Sequence, residues 1–488
     1  MKRKQLASLI TAAVMTAGLL AGCGAPAASS STAASSTDTA SSASSESTPA
    51  ADSTAATVSE IKLGIWPEDT MAEEIKMHEG FKKTFEDSHP GVTIVPAYYK
   101  YAPDTFMPMA QAGNAPTIFE SWYTEPQKLI RNGLVKDITD VLQERGWLDS
   151  ISPSVRALLS DENGRVYGVP RDAYSLGLMC NLDLFEQAGL MNDDGTPQYP
   201  KTWDELATTC QTIKEKTGKA GLCLLAKDNA GGWHWSNIAW DFGAELVKDN
   251  GDGTFTSQLN SPEAIAAMEY TKDLKWKYDA LTDDPTSEDW GTGFTALGTG
   301  AAAMYIAAND AVMQPTQANG LPVDKLALEP LPAGPKAQYS LMGGTPYMFP
   351  ANATDEEVNL CLDYLEIMGK SPEVSDTARE GWIADAKQRQ EGGVPVIPNF
   401  PAYIGDVVTE QNKIVEEYSN VDMKLFNDYF DFSKKDGALH VEAPGDTQSM
   451  YAELTNVLQA VLTDENADVT ALMNTANDNY QALLDAAE

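Results

Sequence analysis

The chain alternates between short stretches in which every second residue is apolar and longer stretches in which large side chains recur three or four positions apart. Residues 61–66 follow the two-residue period of a β-strand. The next segment carries its large side chains on one helical face: Met71, Ile75, His78, Phe81 and Phe85. Residues 91–98 and 115–119 predict a second and a third strand. Strands that alternate with helices predict an α/β fold with a parallel sheet covered on both faces.

Further along the chain, helix starts are indicated by residues that satisfy free backbone N–H groups. Thr202 and Thr354 each precede a glutamate by three positions, which is the spacing of a capping box. Ser261 precedes a proline, and proline favours the first helical turn. Residues 193–195 and 250–253 predict turns. The second turn lacks the alternating acids and the terminal glutamate of a calcium loop, so we expect no metal site.

The N-terminus has the layout of a secretory signal peptide. Residues 2–4 are basic, and the apolar stretch 6–20 is short of the ~20 residues that span a bilayer comfortably. Residues 20–23 read LAGC, which resembles the lipobox of bacterial lipoproteins. This resemblance implies that residues 1–22 are a signal peptide and that Cys23 becomes the lipidated first residue. Acylation of this kind would anchor the protein to the extracytoplasmic face of the cell membrane.

A segment dominated by Ala, Ser and Thr follows and continues to residue 59. Such a composition cannot bury a core, so we predict a flexible tether over residues 23–59. The remaining roughly 430 residues exceed the ~250–300 residues at which single cores stop growing, which predicts two domains.

The formal net charge of −37 limits the range of partners. An acidic surface repels phosphate backbones, so we expect no nucleic acid. It also disfavours an anionic ligand unless the site is locally basic. An acidic composition is equally typical of a protein that is simply very soluble.

Four cysteines follow Cys23: Cys180, Cys210, Cys223 and Cys361. Their spacing matches no zinc or redox pattern. Cys180, Cys210 and Cys361 lie in apolar runs or stripes, which predicts small core residues. An extracytoplasmic location would permit a disulfide, but we do not expect one.

Several segments occur in an order that resembles one known family. The matching segments are residues 115–122, 132–138, 164–170, 181–190, 200–206, 300–304 and 342–347. Together they resemble the extracellular solute-binding proteins of carbohydrate ABC transporters, the group that includes maltose-binding protein, over nearly all of residues 60–488. Two positions depart from the family pattern: Thr117 stands where aspartate is usual, and Cys180 stands where an aromatic residue often precedes the asparagine.

The resemblance implies a two-lobe, periplasmic-binding-protein-like (type II) α/β fold with a cleft and a hinge. The first lobe would hold residues 60–170 and 342–395, and the second would hold residues 171–341 and 396–488. Ligand would bind between the lobes and close them by a hinge motion. The resemblance further implies a monomer without cofactor that captures a carbohydrate, an oligosaccharide, and passes it to ABC permease subunits.

Residues 231–242 read GGWHWSNIAWDF and contain three tryptophans. If a helix begins at Trp233, then Trp235 lies on the apolar core stripe and Trp240 lies about 140° away, given ~3.6 residues per turn. Trp233 would stand at the helix entrance, behind two glycines that let a ligand approach. A sugar ring has an apolar face that an aromatic plate can cover. We therefore take Trp233, Trp235 and Trp240 as ligand-binding candidates, with core packing as the alternative, strongest for Trp235.

The other candidates follow predicted strands or match family positions. They are Trp66 and Glu68 after the first strand, Trp122 and Tyr123 after the third, Asp172 and Tyr174 near the first crossing, Asn309 and Asp310 after residues 303–306, and Gly344 and Tyr347 near the second crossing. Asp172 could accept two sugar hydroxyls or could instead pair with Arg171. The resemblance also suggests Tyr451 as a further aromatic residue.

Two alternatives to transport remain open. A surface glycosidase would need a carboxylate pair, for which Glu120 and Asp172 can be imagined. No nucleophile elbow or metalloprotease motif is present in the sequence. A ligand-sensing subunit for a membrane kinase is the other alternative, and the sequence does not separate it from transport.

Overall fold

The computed structural model describes residues 58–487. The predicted signal peptide, Cys23 and nearly all of the predicted tether lie outside the described residues. Within residues 58–487, no helix is both long enough and apolar enough to cross a membrane.

Strands and helices alternate along most of the described chain. The strands are β1 (Glu60–Leu63), β2 (Thr93–Pro96), β3 (Phe119–Glu120), β4 (Gly168–Asn181), β5 (Ala220–Cys223), β6 (Val247–Asp249), β7 (Phe255–Ser257), β8 (Ala302–Ala308), β9 (Leu326–Glu329), β10 (Ser340–Met348) and β11 (Leu439–His440). The helices of the first half are α1 (Ala72–Ser88), α2 (Pro103–Gln111), α3 (Pro126–Arg131), α4 (Thr139–Glu144), α5 (Pro153–Leu158), α6 (Leu182–Ala188), α7 (Trp203–Thr217) and α8 (Asp228–Asp241). Those of the second half are α9 (Pro262–Trp276), α10 (Trp290–Gly298), α11 (Asp355–Ile367), α12 (Asp376–Glu391), α13 (Asp406–Tyr418), α14 (Asn427–Ser433), α15 (Thr447–Thr463) and α16 (Val469–Ala487).

Strand β4 is the longest strand, and its two halves pair with different strands. Its first half pairs antiparallel with β10, and its second half pairs antiparallel with β8 and β9. Parallel pairing joins β1 to β2 and β8 to β5. The sequence-based expectation of a parallel sheet is therefore wrong for the centre of the fold, where the strands shared between the two halves run antiparallel.

The described residues belong to one compact unit, but its apolar core divides in two. One core is formed by β1, α1, α4 and α11, together with residues from the first part of β4 and from β10. Its members run from Ile61 to Ala402. The larger core gathers the rest of β4 with β5, β8, β9, α7 to α10, α15 and α16. Strands β4 and β10 contribute residues to both cores, so they connect the two bodies that we call lobe 1 and lobe 2.

We retain the predicted lobe boundaries as a proposal, with local exceptions. Ala173, Phe400 and Ala402 pack in the core of lobe 1, although the prediction assigned them to lobe 2. Val394 packs in the core of lobe 2, although the prediction assigned it to lobe 1. The chain thus passes between the lobes more often than two crossing points require.

The predicted helix starts are present. Thr202, Ser261 and Thr354 each precede a helix, and each side chain accepts a hydrogen bond from a backbone N–H three residues on. The reciprocal bond of a capping box forms at Thr354. At Thr202 it does not form, because the Glu205 carboxylate accepts from the backbone of Lys201 instead.

Helix α8 begins five residues earlier than predicted, so the glycine pair lies inside it. A side chain at Gly232 would overlap the backbone of Tyr451 in α15, and one at Gly231 would press against Thr455. The backbone N–H of Gly232 donates to Thr455 Oγ1 at 2.9 Å. The two glycines therefore allow α8 and α15 to pack closely, and they do not open a helix entrance for a ligand.

All four cysteines of the described chain are buried as free thiols. Cys180, Cys210 and Cys223 lie in the core of lobe 2 and Cys361 in that of lobe 1. Burial raises the pKa of each thiol, which keeps it protonated and unreactive.

Candidate functional site

A cavity of about 220 Å³ lies between the two lobes. Its wall combines the loop after β3, the shared strands β4 and β10, the start of α8 and the segment from β11 into α15. The lining residues are Trp122, Thr124, Tyr174, Asn229, Ala230, Trp233, Gly344, Thr345, Glu442, Gln448 and Tyr451. Five residues named from the sequence thus meet here: the ligand-binding candidates Trp122, Tyr174, Trp233 and Gly344, and Tyr451, which the resemblance suggested.

Aromatic rings supported by other aromatic rings form much of the wall. Trp233 meets Tyr174 edge to face, with centroids 6.4 Å apart, and meets Trp290 at 5.4 Å. On the opposite lobe, Trp122 stands edge to face on Tyr101 at 5.4 Å and is 39% exposed. Rings held at fixed angles present flat apolar faces at little entropic cost.

Gly344 brings the backbone of β10 close to the cavity. A side chain there would overlap the ring of Tyr123 and the backbone of Asp172, and its φ of +153° is unfavourable for other residues. Tyr123 is buried behind this strand, where its hydroxyl donates to the carbonyl of Asp172 at 3.0 Å. The structure therefore places Tyr123 as a support of the cavity wall.

Polar groups complete the rim. The side chain of Asn229 donates to Gln448 at 3.0 Å, which links the start of α8 to α15. The hydroxyl of Tyr451 donates to Glu442 at 2.8 Å. Amide and carboxylate groups next to aromatic plates can bind the hydroxyl rim of a sugar while the plates cover its apolar face.

Asp172 is held by an ion pair. Arg171 donates to its carboxylate at 2.7 Å and to Glu120 at 2.9 Å, and the N–H of Thr345 donates to Asp172 at 3.0 Å. Pairing with Arg171, the alternative to direct ligand binding, is thus what the structure shows. Because the same arginine binds both carboxylates, Glu120 and Asp172 are not arranged as the separate acid and base of a glycosidase.

Asp310 follows β8 and lies near Asp172. Its side chain reaches solvent, yet protein surrounds it on most sides. Burial first, and then the negative charge of Asp172, raise the pKa of Asp310 to about 6. The preceding residue, Asn309, is buried and accepts a hydrogen bond from Tyr429 at 2.9 Å, so we correct its assignment from ligand contact to core support.

Three of the predicted tryptophans lie in the cores. Trp66 packs in lobe 1 against His78, Trp235 donates to Thr271 at 3.1 Å inside lobe 2, and Trp240 stacks on His440 at 4.0 Å. Their exposed fractions are 6%, 0% and 2%. Of the three tryptophans of α8, only Trp233, near the start of the helix, lines the cavity.

Tyr347 and Glu68 also lie away from the cavity lining. Tyr347 is buried on β10, paired with Glu120 and Val169. Glu68 is exposed, and its charge acts on the exposed Tyr98. Neither lines the cavity between the lobes.

A larger cavity of about 520 Å³ lies on the surface of lobe 2. Its lining is mostly polar and holds none of the predicted residues: Asn192, Asp194, Thr196, Pro197, Gln198, Tyr199, Lys201, Glu329, Lys424, Asn427 and Asp428. We favour the smaller cavity, because both lobes contribute to it and aromatic plates line it.

A pair of cores joined by shared strands, with a ligand-sized cavity between them, defines the class of two-lobe binding proteins. A model for bacterial extracellular solute-binding proteins matches residues 71–365, which is more than half of the chain. The chain therefore belongs to the bacterial extracellular solute-binding protein family. Membership places it outside the cytoplasm and makes it a ligand-binding partner of an ABC permease.

Similar proteins support this assignment. A binding protein of Brucella abortus is 26% identical over 332 residues, which is 64% of this chain and 72% of that protein. The diacetylchitobiose-binding protein DasA of Streptomyces coelicolor is 28% identical over 37% of this chain and 38% of its own. The solute-binding protein of Thermotoga lettingae bound to α-D-tagatose has a TM-score of 0.64 at 19% identity, over 87% of this chain and 99% of its own. This structural likeness confirms the predicted two-lobe α/β fold.

Sequence reasoning missed the polar half of the cavity. Thr124, Asn229, Thr345, Glu442 and Gln448 were not among the candidates, although each lies in the lining. Thr124 and Thr345 adjoin predicted residues, so a wider window would have found them. Nothing in the sequence around Glu442 marks it, because helix packing brings α15 beside α8.

Proposed function

We propose that this protein captures a carbohydrate between its lobes and delivers it to an ABC permease. The observation that carries the proposal is the set of four aromatic residues, Trp122, Tyr174, Trp233 and Tyr451, which line one cavity from both lobes. A saccharide held between such plates would stabilise the closed arrangement, since it would contact both lobes only when they are close.

Relatives support a sugar in particular. DasA is named for binding diacetylchitobiose, and the T. lettingae protein was crystallised with tagatose. Acidic residues near the cavity, Asp172, Asp310 and Glu442, make an anionic ligand unfavourable.

A thermal-shift screen of the purified protein against mono- and oligosaccharides tests the proposal, followed by titration calorimetry on each hit. A ligand at one hundred times its Kd stabilises the folded state by about 2.7 kcal/mol. Glycerol phosphate serves as an anionic comparison. Stabilisation by glycerol phosphate alone, or by no saccharide, would reject carbohydrate capture. Analysis of reducing ends after incubation distinguishes binding from glycan cleavage.

We further propose that the mature protein is a monomer, lipidated at Cys23 and anchored to the membrane by the tether. Labelled palmitate should enter the wild-type protein in cells and not the Cys23→Ser variant. The variant should leave the membrane fraction. Co-purification with permease subunits, rather than with a membrane kinase, would favour transport over sensing.

A further inference from the structure

Glu442 occupies an unusual position for a carboxylate. It lies between β11 and α15 at the wall of the inter-lobe cavity, and among the described residues its carboxylate accepts one direct hydrogen bond, from Tyr451. The rings of Tyr174, Trp233 and Tyr451 line the same cavity. A negative charge is therefore placed inside a partly aromatic enclosure.

The neighbouring charge that acts on Glu442 is also negative. Within residues 58–487, Glu442 forms no salt bridge, and the neighbouring charge that acts on it is that of another acid, Glu125. Glu125 is itself buried, accepts hydrogen bonds from Tyr101 and Thr124, and feels the charges of Lys128 and Asp446.

The second acidic group of the cleft differs in this respect. Asp172 pairs with Arg171, and both act on Asp310. The charges of Asp172, Arg171, Asp385 and Glu120 also act on Lys370. Arg171 and Lys370 are therefore gathered near Asp172. On the side of Glu442, Lys128 pairs with Asp446 and acts on Glu125, and it is not among the charges that act on Glu442.

An ammonium group matches these surroundings better than a hydroxyl does. A hydroxyl can donate to Glu442 but leaves its charge uncompensated. An ammonium donates and also neutralises the charge, and the faces of tyrosine and tryptophan rings attract it. Burial and the charge of Glu125 raise the pKa of Glu442 to about 7, and a cation bound beside it would favour its ionised form.

We propose that the captured carbohydrate carries a protonated amino group, and that Glu442 with the rings of Tyr174, Trp233 and Tyr451 receives it. This inference rests on the proposed function, because it names a class of saccharide for the same cavity. It extends that function by predicting preference for amino sugars over their N-acetylated and hydroxyl counterparts.

The experiment compares matched saccharides that differ at one carbon. Disaccharides of glucosamine, N-acetylglucosamine and glucose with the same linkage are titrated into the purified protein at pH 7, within a wider panel of neutral saccharides. We expect the amine form to bind about tenfold more tightly than the other two. Added salt should reduce this preference.

Two variants assign the effect. Glu442→Gln should abolish the preference, because the amide keeps the shape of the side chain but carries no charge to pair with an ammonium. Glu465→Gln, at an exposed glutamate after α15, is the matched control and should keep the preference. Circular dichroism verifies that both variants fold.

Each outcome has a defined meaning. If amine-free saccharides bind as tightly as the amine form, or if only they bind, the inference is overturned while carbohydrate capture stands. If the preference survives in Glu442→Gln, the assignment to Glu442 is overturned. If no saccharide of the panel binds, carbohydrate capture itself fails, and the inference fails with it.

Discussion

The indole of Trp233 and the phenol ring of Tyr174 meet at 89°, with centroids 6.4 Å apart. Trp233 belongs to α8 of lobe 2, and Tyr174 belongs to β4, the strand that contributes to both cores. A ligand that covers Trp233 is therefore placed next to a strand that connects the lobes, and binding can be coupled to lobe movement through direct contact.

Replacing Trp233 by alanine should weaken saccharide binding by about tenfold or more, because buried aromatic residues dominate ligand contacts. Titration calorimetry measures this loss. The control is Trp276→Ala, since Trp276 lies on α9, is 38% exposed and does not line the cavity. Equal losses in both variants would contradict the assignment of Trp233 to the site.

Replacing Gly344 by alanine should destabilise the protein by about 1–3 kcal/mol and weaken ligand binding, because the added methyl group overlaps Tyr123 and the backbone of Asp172. Urea unfolding and calorimetry measure the two effects. Gly381→Ala is the control: Gly381 lies in α12 with open space around it, so alanine should leave binding intact and stabilise the helix slightly. Wild-type stability of Gly344→Ala would disprove the proposed overlap.

Lys128 of α3 lies 3.8 Å from Asp446, which precedes α15, so this ion pair joins the proposed lobes. Lys128→Ala should speed ligand dissociation no more than about fivefold, since a partly exposed pair contributes at most ~1 kcal/mol. The effect should fade at high salt. Stopped-flow tryptophan fluorescence measures the rate. Lys434→Ala, which removes an exposed pair at the C-terminal end of α14, should leave the rate unchanged.

Glu329 should make folding stability depend on pH. It is 2% exposed, and burial raises its pKa from 4.5 to about 9. The folded state therefore binds a proton that the unfolded state releases between these values. Its contribution to stability is complete below about pH 4.5 and is lost as the pH rises towards about 9.

The Glu329→Gln variant tests this dependence. The slope of unfolding free energy against pH, at most about 1.4 kcal/mol per pH unit from one group, should flatten in the variant. Urea unfolding between pH 5 and about pH 9 supplies the slope. An unchanged slope would show that Glu329 does not hold the proton.

Local signals in the sequence predicted the helix starts at Thr202, Ser261 and Thr354, because a cap depends on residues within one turn. They did not predict the start of α8. In the sequence, Gly231 and Gly232 suggest that the helix begins after them. In the structure they lie inside α8, where they allow close packing against α15, more than two hundred residues away.

The sequence by itself determined the family and the two-lobe class, since both follow from the order of motifs along the chain. It also identified aromatic residues as ligand-binding candidates, since that step needs only the residue type. Only the tertiary structure decided which tryptophans face the cleft. Trp233 and Trp240 lie on nearly the same face of α8, but Trp240 is about two turns further along and stacks on His440 in the core. Trp235 points into the core because the rotation of α8 is set by its packing against α15. Glu442 joined the site for the same reason: side chains distant in sequence meet only when helices pack.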